Sequence, residues 1–138
     1  MLNNFSLCVT TADKLKFYRL TNNYFQEDIA NFLHVSRTHY GFYEERKDSC
    51  CALEHLEKIS SLYNILVEDL MDDYHKFLYR GGIDKLKAIR KNMKLTSRDF
   101  ASMFNVANST ILGWEHGDNI PTRKSFNKVK AVFKDYFK

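Results

Sequence analysis

The sequence predicts an all-α chain made of two tandem five-helix units packed through a long connecting helix. Three observations lead there. Proline occurs once and glycine five times in 138 residues, so little interrupts a helix, and the apolar content is that of a globular protein. Apolar residues recur at helical spacing through most of the length. The chain also repeats itself. A shift of 71 residues brings Arg19 onto Arg90, Ile29 onto Phe100, Ala30 onto Ala101, Leu33 onto Phe104, Val35 onto Val106, Tyr43 onto Trp114 and Glu44 onto Glu115. After a loop gap of one residue, Leu56, Ile59 and Tyr63 fall on Phe126, Val129 and Phe133. Agreement of side-chain class at so many apolar positions predicts a duplicated helical unit, 12–80 and 83–138.

In the first unit, Asp13–Thr21 makes a helix with Leu15 and Tyr18 inward, and Gln26–Leu33 makes the second. Ser36 is a good N-cap for a third helix ending near Glu44. Arg46–Cys51 reads as a polar loop and Ala52–Tyr63 as the fourth helix, stopped by Asn64. Ile65–Tyr79 reads as one amphipathic helix, with Val67, Leu70, Met71, Tyr74 and Leu78 on one side. Gly81 and Gly82 end it and form the hinge.

The second unit starts at Ile83, with Leu86 to Arg90 in its first helix. Phe100, Ala101 and Phe104 give the second helix its inner face. Asn105, tolerant of the left-handed conformation, stands at a sharp turn that Val106 plugs. Asn108, Ser109 and Thr110 open a third helix, with Ile111 and Trp114 on its buried side and Glu115 at its close. Gly117 and Pro121 mark the next loop. Phe126, Val129 and Phe133 line a fourth helix, and Tyr136 and Phe137 continue the apolar pattern. A unit of about 65 residues buries only a thin core, so the copies are expected to pack on each other, with 65–79 as mediator.

Charge separates the two halves. Met1–Gly81 carries nine Lys or Arg against twelve Asp or Glu, a balance of −3, and Gly82–Lys138 carries twelve against five, +7. The second half is the natural polyanion binder. No apolar run approaches the ~18 residues of a membrane span, and Met1–Thr11 makes a poor signal peptide, so a cytoplasmic protein without a membrane segment is expected. Cys8, Cys50 and Cys51 form no CxxC pair, and no His lies at zinc-ligand spacing. Reduced thiols and no metal are therefore expected, with redox sensing by Cys50 and Cys51 unsupported. His34, His39, His55, His75 and His116 are scattered and read as surface or rim residues. Asp72 and Asp73 read as helix-end charges. Nothing gives a nucleophile elbow, HExxH, P-loop or dinucleotide fingerprint, so neither an enzyme nor a cofactor is expected.

The run Ala101, Asn105, Val106, Asn108–Thr110, Ile111, Trp114-Glu115 and Gly117 resembles the phage repressor and Cro family of helix-turn-helix proteins, often called XRE-type. The resemblance extends upstream to Leu86–Arg90 and downstream to Phe126, Val129 and Phe133. It implies double-stranded DNA as partner, with the helix after the turn reading bases in the major groove. The bases would fall to Asn108, Ser109, Thr110 and, one turn on, Gly113. Asn pairs two-pronged with adenine, while Ser and Thr suit bases or phosphate. Ala107 stands where the family often carries a capping Ser or Thr, so the helix is expected to start a residue late. The matching run in the first unit is Ser36, Arg37, Thr38 and His39, with Phe42 one turn on. Gln26 sits where the family's Gln reaches DNA, and Ser97 followed by Arg98 holds that place in the second unit. Lys85, Lys87, Lys91, Lys94, Arg98, Arg123 and Lys124 are candidates for the phosphate backbone.

Arg19 and Glu44 are 25 residues apart, and so are Arg90 and Glu115. In the family such a pair ties the first helix to the end of the reading helix. A guanidinium offers a carboxylate a fixed fork of donors, so the pair sets orientation as well as attraction.

Two readings follow. In the first the chain is a transcriptional regulator, a repressor by expectation, whose two units both read DNA. In the second it is a protein-interaction module or antitoxin-like accessory factor. There only the second unit touches DNA, while the acidic first unit or the helix 65–79 grips a protein partner or a second copy. Glu45, Asp48, His34 and Arg46 are the departures from the family pattern that set the first unit apart.

Overall fold

In the computed structural model, which describes residues 8–46 and 51–134, short polar side chains open several of the helices and left-handed residues close several of them. Thr10 accepts the Asp13 N–H at 3.1 Å and opens α1 (Thr11–Thr21). The Asp28 carboxylate accepts the Phe25 N–H at 2.8 Å ahead of α2 (Gln26–Leu33). Ser36 accepts the His39 N–H at 3.0 Å and opens α3 (Arg37–Glu45). The fourth helix, α4 (Leu53–Tyr63), ends on Asn64 at φ 56°. A 3₁₀ turn (Val67–Leu70) and α5 (Asp73–Tyr79) follow. Then come α6 (Gly82–Asn92), α7 (Ser97–Met103), α8 (Asn108–His116) and α9 (Arg123–Phe133). Among the described residues there is no strand, and the class is all-α.

The chain divides into two compact units, Met1–Lys76 and Phe77–Lys138. The core of the first gathers Leu15, Ile29, Leu33, Tyr40, Leu56, Ile59, Leu70 and Met71. In the second, Leu86, Phe100, Phe104, Ile111, Trp114, Phe126, Val129 and Phe133 are buried. Phe100 and Phe104 meet edge to face at 4.9 Å, a favoured ring geometry, and Phe133 stacks on Phe100 at 6.0 Å. The second unit holds four whole helices among the described residues rather than five. Tyr136, Phe137, Asp48 and Cys50 lie outside the described residues. Cys8 and Cys51 are free and buried, and burial pushes the Cys8 thiol up from its ordinary value.

The single helix expected over 65–79 is replaced by the 3₁₀ turn and the short α5, with Met71 extended at φ −94°, ψ 138° between them. The cause is polar. Asp72 turns inward and is buried, and its own N–H donates to the Thr11 hydroxyl at 3.0 Å. Its carboxylate accepts the Thr11 N–H at 3.4 Å and the His75 N–H at 3.0 Å, and sits 2.8 Å from His75 Nδ1. Lys14 Nζ donates to the Met71 carbonyl at 2.7 Å. A continuous helix would have committed these backbone groups to itself. His75 is therefore a core residue, against the expectation of a surface one. Leu70 and Met71 fill the first unit's own core rather than an unpartnered face.

Candidate nucleic-acid interface

Arg90 and Glu115 build the frame of the second unit. Arg90 Nε donates to Glu115 Oε1 at 2.7 Å and Nη2 to Oε2 at 3.0 Å, the two-pronged geometry expected of this pair. The remaining nitrogen, Nη1, donates to the Leu95 carbonyl at 3.0 Å. One guanidinium thus ties α6, the turn into α7 and the end of α8 together. Asn105 takes the left-handed conformation at φ 53°, and the Val106 N–H reaches back to the Ala101 carbonyl at 3.1 Å. This closes a tight turn between α7 and α8. Ile111 and Trp114 hold α8 against the core, Trp114 with only 4% of its surface exposed. Ser109, on the outward side, faces solvent.

Residues 86–133 match the helix-turn-helix family model. The match runs from Leu86 in α6 to Phe133 at the end of α9, and it points to DNA binding and transcription regulation for this segment. No curated protein and no solved structure matches the chain.

Within the helix-turn-helix segment, α8 starts at Asn108, not a residue late. Ala107 takes the N-cap conformation at ψ 150° with no side-chain bond, so tertiary packing sets the start without a cap. The Ser97 hydroxyl donates to Asn108 Oδ1 at 2.6 Å, which brings together two of the residues singled out from the sequence. Lys94 and Arg98 are exposed on the turn before α7 and on α7 itself, and Thr110 is half-buried. Lys85, Lys91 and Lys124 are exposed, while Lys87 and Arg123 are half-buried. Gly113 corrects an expectation. It is buried, with the Asn119 carboxamide lying over it, and offers no surface of its own.

The first unit shows the same bonds 71 residues earlier. Arg19 Nε and Nη2 donate to Glu44 at 2.7 and 2.9 Å, and Nη1 donates to the Tyr24 carbonyl at 2.9 Å. The hydrogen bond that Arg19 donates to Glu44 holds the Arg19 pKa above its ordinary value against the opposing effect of burial. Tyr40 stands where the second unit has Ile111. Its phenol is pushed well up, first by burial and then by the Glu44 carboxylate. His34 is left-handed at φ 59°, as Asn105 is, and the Val35 N–H bonds the Ala30 carbonyl at 3.0 Å.

The outward side of the first unit differs. Gln26 does not project freely. It is half-buried and its Nε2 lies 3.3 Å from Glu44 Oε1, a long hydrogen bond. Ser36 spends its hydroxyl oxygen on the helix cap. Arg37, Thr38 and His39 are exposed, and His39 Nε2 lies 3.0 Å from the Tyr43 hydroxyl, which is 2.9 Å from His55 Nδ1. Phe42 is exposed, with the Arg46 guanidinium 4.1 Å above its ring, a cation–π contact. Phe25, just ahead of α2, is 76% exposed.

Proposed function

We propose that the protein is a sequence-specific, double-stranded DNA-binding transcriptional regulator acting as a repressor, without catalytic activity. The second unit lays α8 in the major groove with Asn108 and Ser109 toward base edges. Lys94, Arg98 and the lysines of α6 hold the phosphate backbone. The observation that carries this reading is the helix-turn-helix match on a unit whose half of the chain holds the +7 balance. Cationic side chains around a groove-sized helix supply the non-specific part of the affinity, and short polar side chains on its first turn supply the specific part.

The first unit is proposed to be a second, diverged helix-turn-helix copy. Its repeat of the Arg–Glu clamp and of the turn between α2 and α3 supports that reading. Two recognition helices in one chain would span successive major grooves, roughly 34 Å apart, on an asymmetric operator. A second reading is favoured by Gln26 turned to Glu44 and by Phe42 under Arg46. In it, only the second unit reads bases and the first grips a protein partner or another copy.

Selection of bound duplexes from a random pool, then footprinting at two salt concentrations, tests both. The regulator reading expects a defined site whose affinity falls steeply with salt. Asn108→Ala should erase a base preference in either case. Arg37→Ala should do so only if both units read DNA. A chain that enriches no duplex has some other function.

A further inference from the structure

The recognition helix of the second unit has no side chain at its third outward position. Ser109 and Gly113 lie one turn apart on the side of α8 away from Ile111. Gly113 is nevertheless buried, because the loop beyond α8 folds back over it. Gly117 caps the helix in the left-handed conformation at φ 79°, and the Gly117, Asp118 and Asn119 N–H groups all point at the Gly113 carbonyl, Asp118 at 2.9 Å. This fold-back lays the Asn119 side chain flat on the helix. A Cβ on residue 113 would stand 2.8 Å from Asn119 Nδ2, 2.9 Å from Oδ1 and 3.1 Å from Cγ. Contacts under 3.0 Å mean that the carboxamide occupies the volume where a side chain of residue 113 would begin. Asn119 itself remains exposed.

From this geometry we infer that Asn119, a loop residue, supplies the third base contact of the recognition helix in place of Gly113. The inference rests on the DNA-binding reading of the second unit. A carboxamide carries one acceptor and two donors in a plane, which fits the N6 and N7 edge of an adenine in the major groove. The glycine is then a requirement of readout. It clears the helix surface so that a side chain from the loop can take up a position within the reading face. The first unit fills the place corresponding to Gly113 with Phe42 beneath Arg46.

The test compares the full chain with Asn119→Ala, Gly113→Ala and the double variant, each in selection from random duplexes. Asn119→Ala should lose preference at one base pair, with about 5- to 150-fold lower affinity for the best site and the other positions unchanged. Gly113→Ala should lose preference at the same pair, because its methyl displaces the carboxamide. The double variant should be no worse than the worse single change, as expected of residues acting through one contact. Far-UV circular dichroism keeps the comparison to folded proteins, and alanine at a helix position favours the helix. If Asn119→Ala weakens every duplex alike, or leaves the profile intact, this inference is wrong while the DNA-binding reading stands. If the unaltered chain selects no duplex, both fall together.

Discussion

Replacing Glu115 by alanine strands a guanidinium. In the native unit Arg90 spends two donor nitrogens on Glu115 and one on the Leu95 carbonyl, so the substitution removes two of these three hydrogen bonds. The Arg90 side chain is 17% exposed and the Glu115 side chain 7%. Removing one member of a fully buried pair costs about 3–5 kcal/mol, and an exposed pair is worth under about 1. Arg90 lies nearer the buried case, but water reaches part of it, which places the cost at about 2–3 kcal/mol. For a unit of this size that lowers the melting temperature by roughly 10–20 °C. Trp114 is the one tryptophan of the chain and is buried in this unit, so its emission reports the second unit and not the first. The expected result is an early Trp114 transition in Glu115→Ala and weakened DNA binding above it. Glu44→Ala should destabilise the first unit more, by about 3–5 kcal/mol, since Arg19 and Glu44 are 10% and 1% exposed. The double change Arg90→Met with Glu115→Leu should recover most of the loss, because the penalty comes from the uncompensated charge. An unchanged Trp114 midpoint and unchanged DNA affinity in Glu115→Ala would refute the reasoning.

Three further outcomes are expected. Gly82→Ala should lower the Trp114 midpoint by an overpacking cost of about 1–3 kcal/mol, since the new Cβ would overlap the Phe77 ring and stand 2.6 Å from its carbonyl oxygen. Burial holds the His55 pKa below its ordinary value of 6.5, so the folded unit favours the neutral ring. The unfolded chain then binds more protons as pH falls below 6.5, and stability of the first unit, complete above that pH, declines on acidification. Melts followed by circular dichroism should show this, and His55→Gln should flatten it. Lys94→Ala and Arg98→Ala should each weaken binding alike across duplex sequences and reduce the salt slope by about one. A base-specific loss in either would reassign that residue.

The fold was legible where local chemistry and burial agree. The start of α3 follows from the Ser36 cap, a signal that sits in a few consecutive residues. The Arg–Glu clamps were legible as a spacing, because a guanidinium and a carboxylate that recur at equal separation in two places are hard to explain otherwise. The segment 65–79 was not legible. Its apolar period persists through Met71, but the break is dictated by a bond from Thr11, more than sixty positions away along the chain. The start of α8 was misjudged for a related reason: a poor cap at Ala107 matters less than a helix packed on Ile111 and Trp114. Asn119 was invisible because nothing in a polar loop announces that it folds over a glycine one turn inside the preceding helix. The weak signal for it was the glycine, placed where a reading side chain was wanted.

The knot of Thr11, Asp72 and His75 bears on how the protein is made. It joins positions 61 and 64 residues apart, and its last member belongs to α5. On the ribosome, the first four helices emerge before the partners that fasten α1 have left the exit tunnel. The first unit can therefore not finish closing until His75 has emerged from the exit tunnel. By then the segment that begins the basic second unit has been synthesised and lies within the exit tunnel, so the nascent chain completes its acidic part before its basic part is exposed.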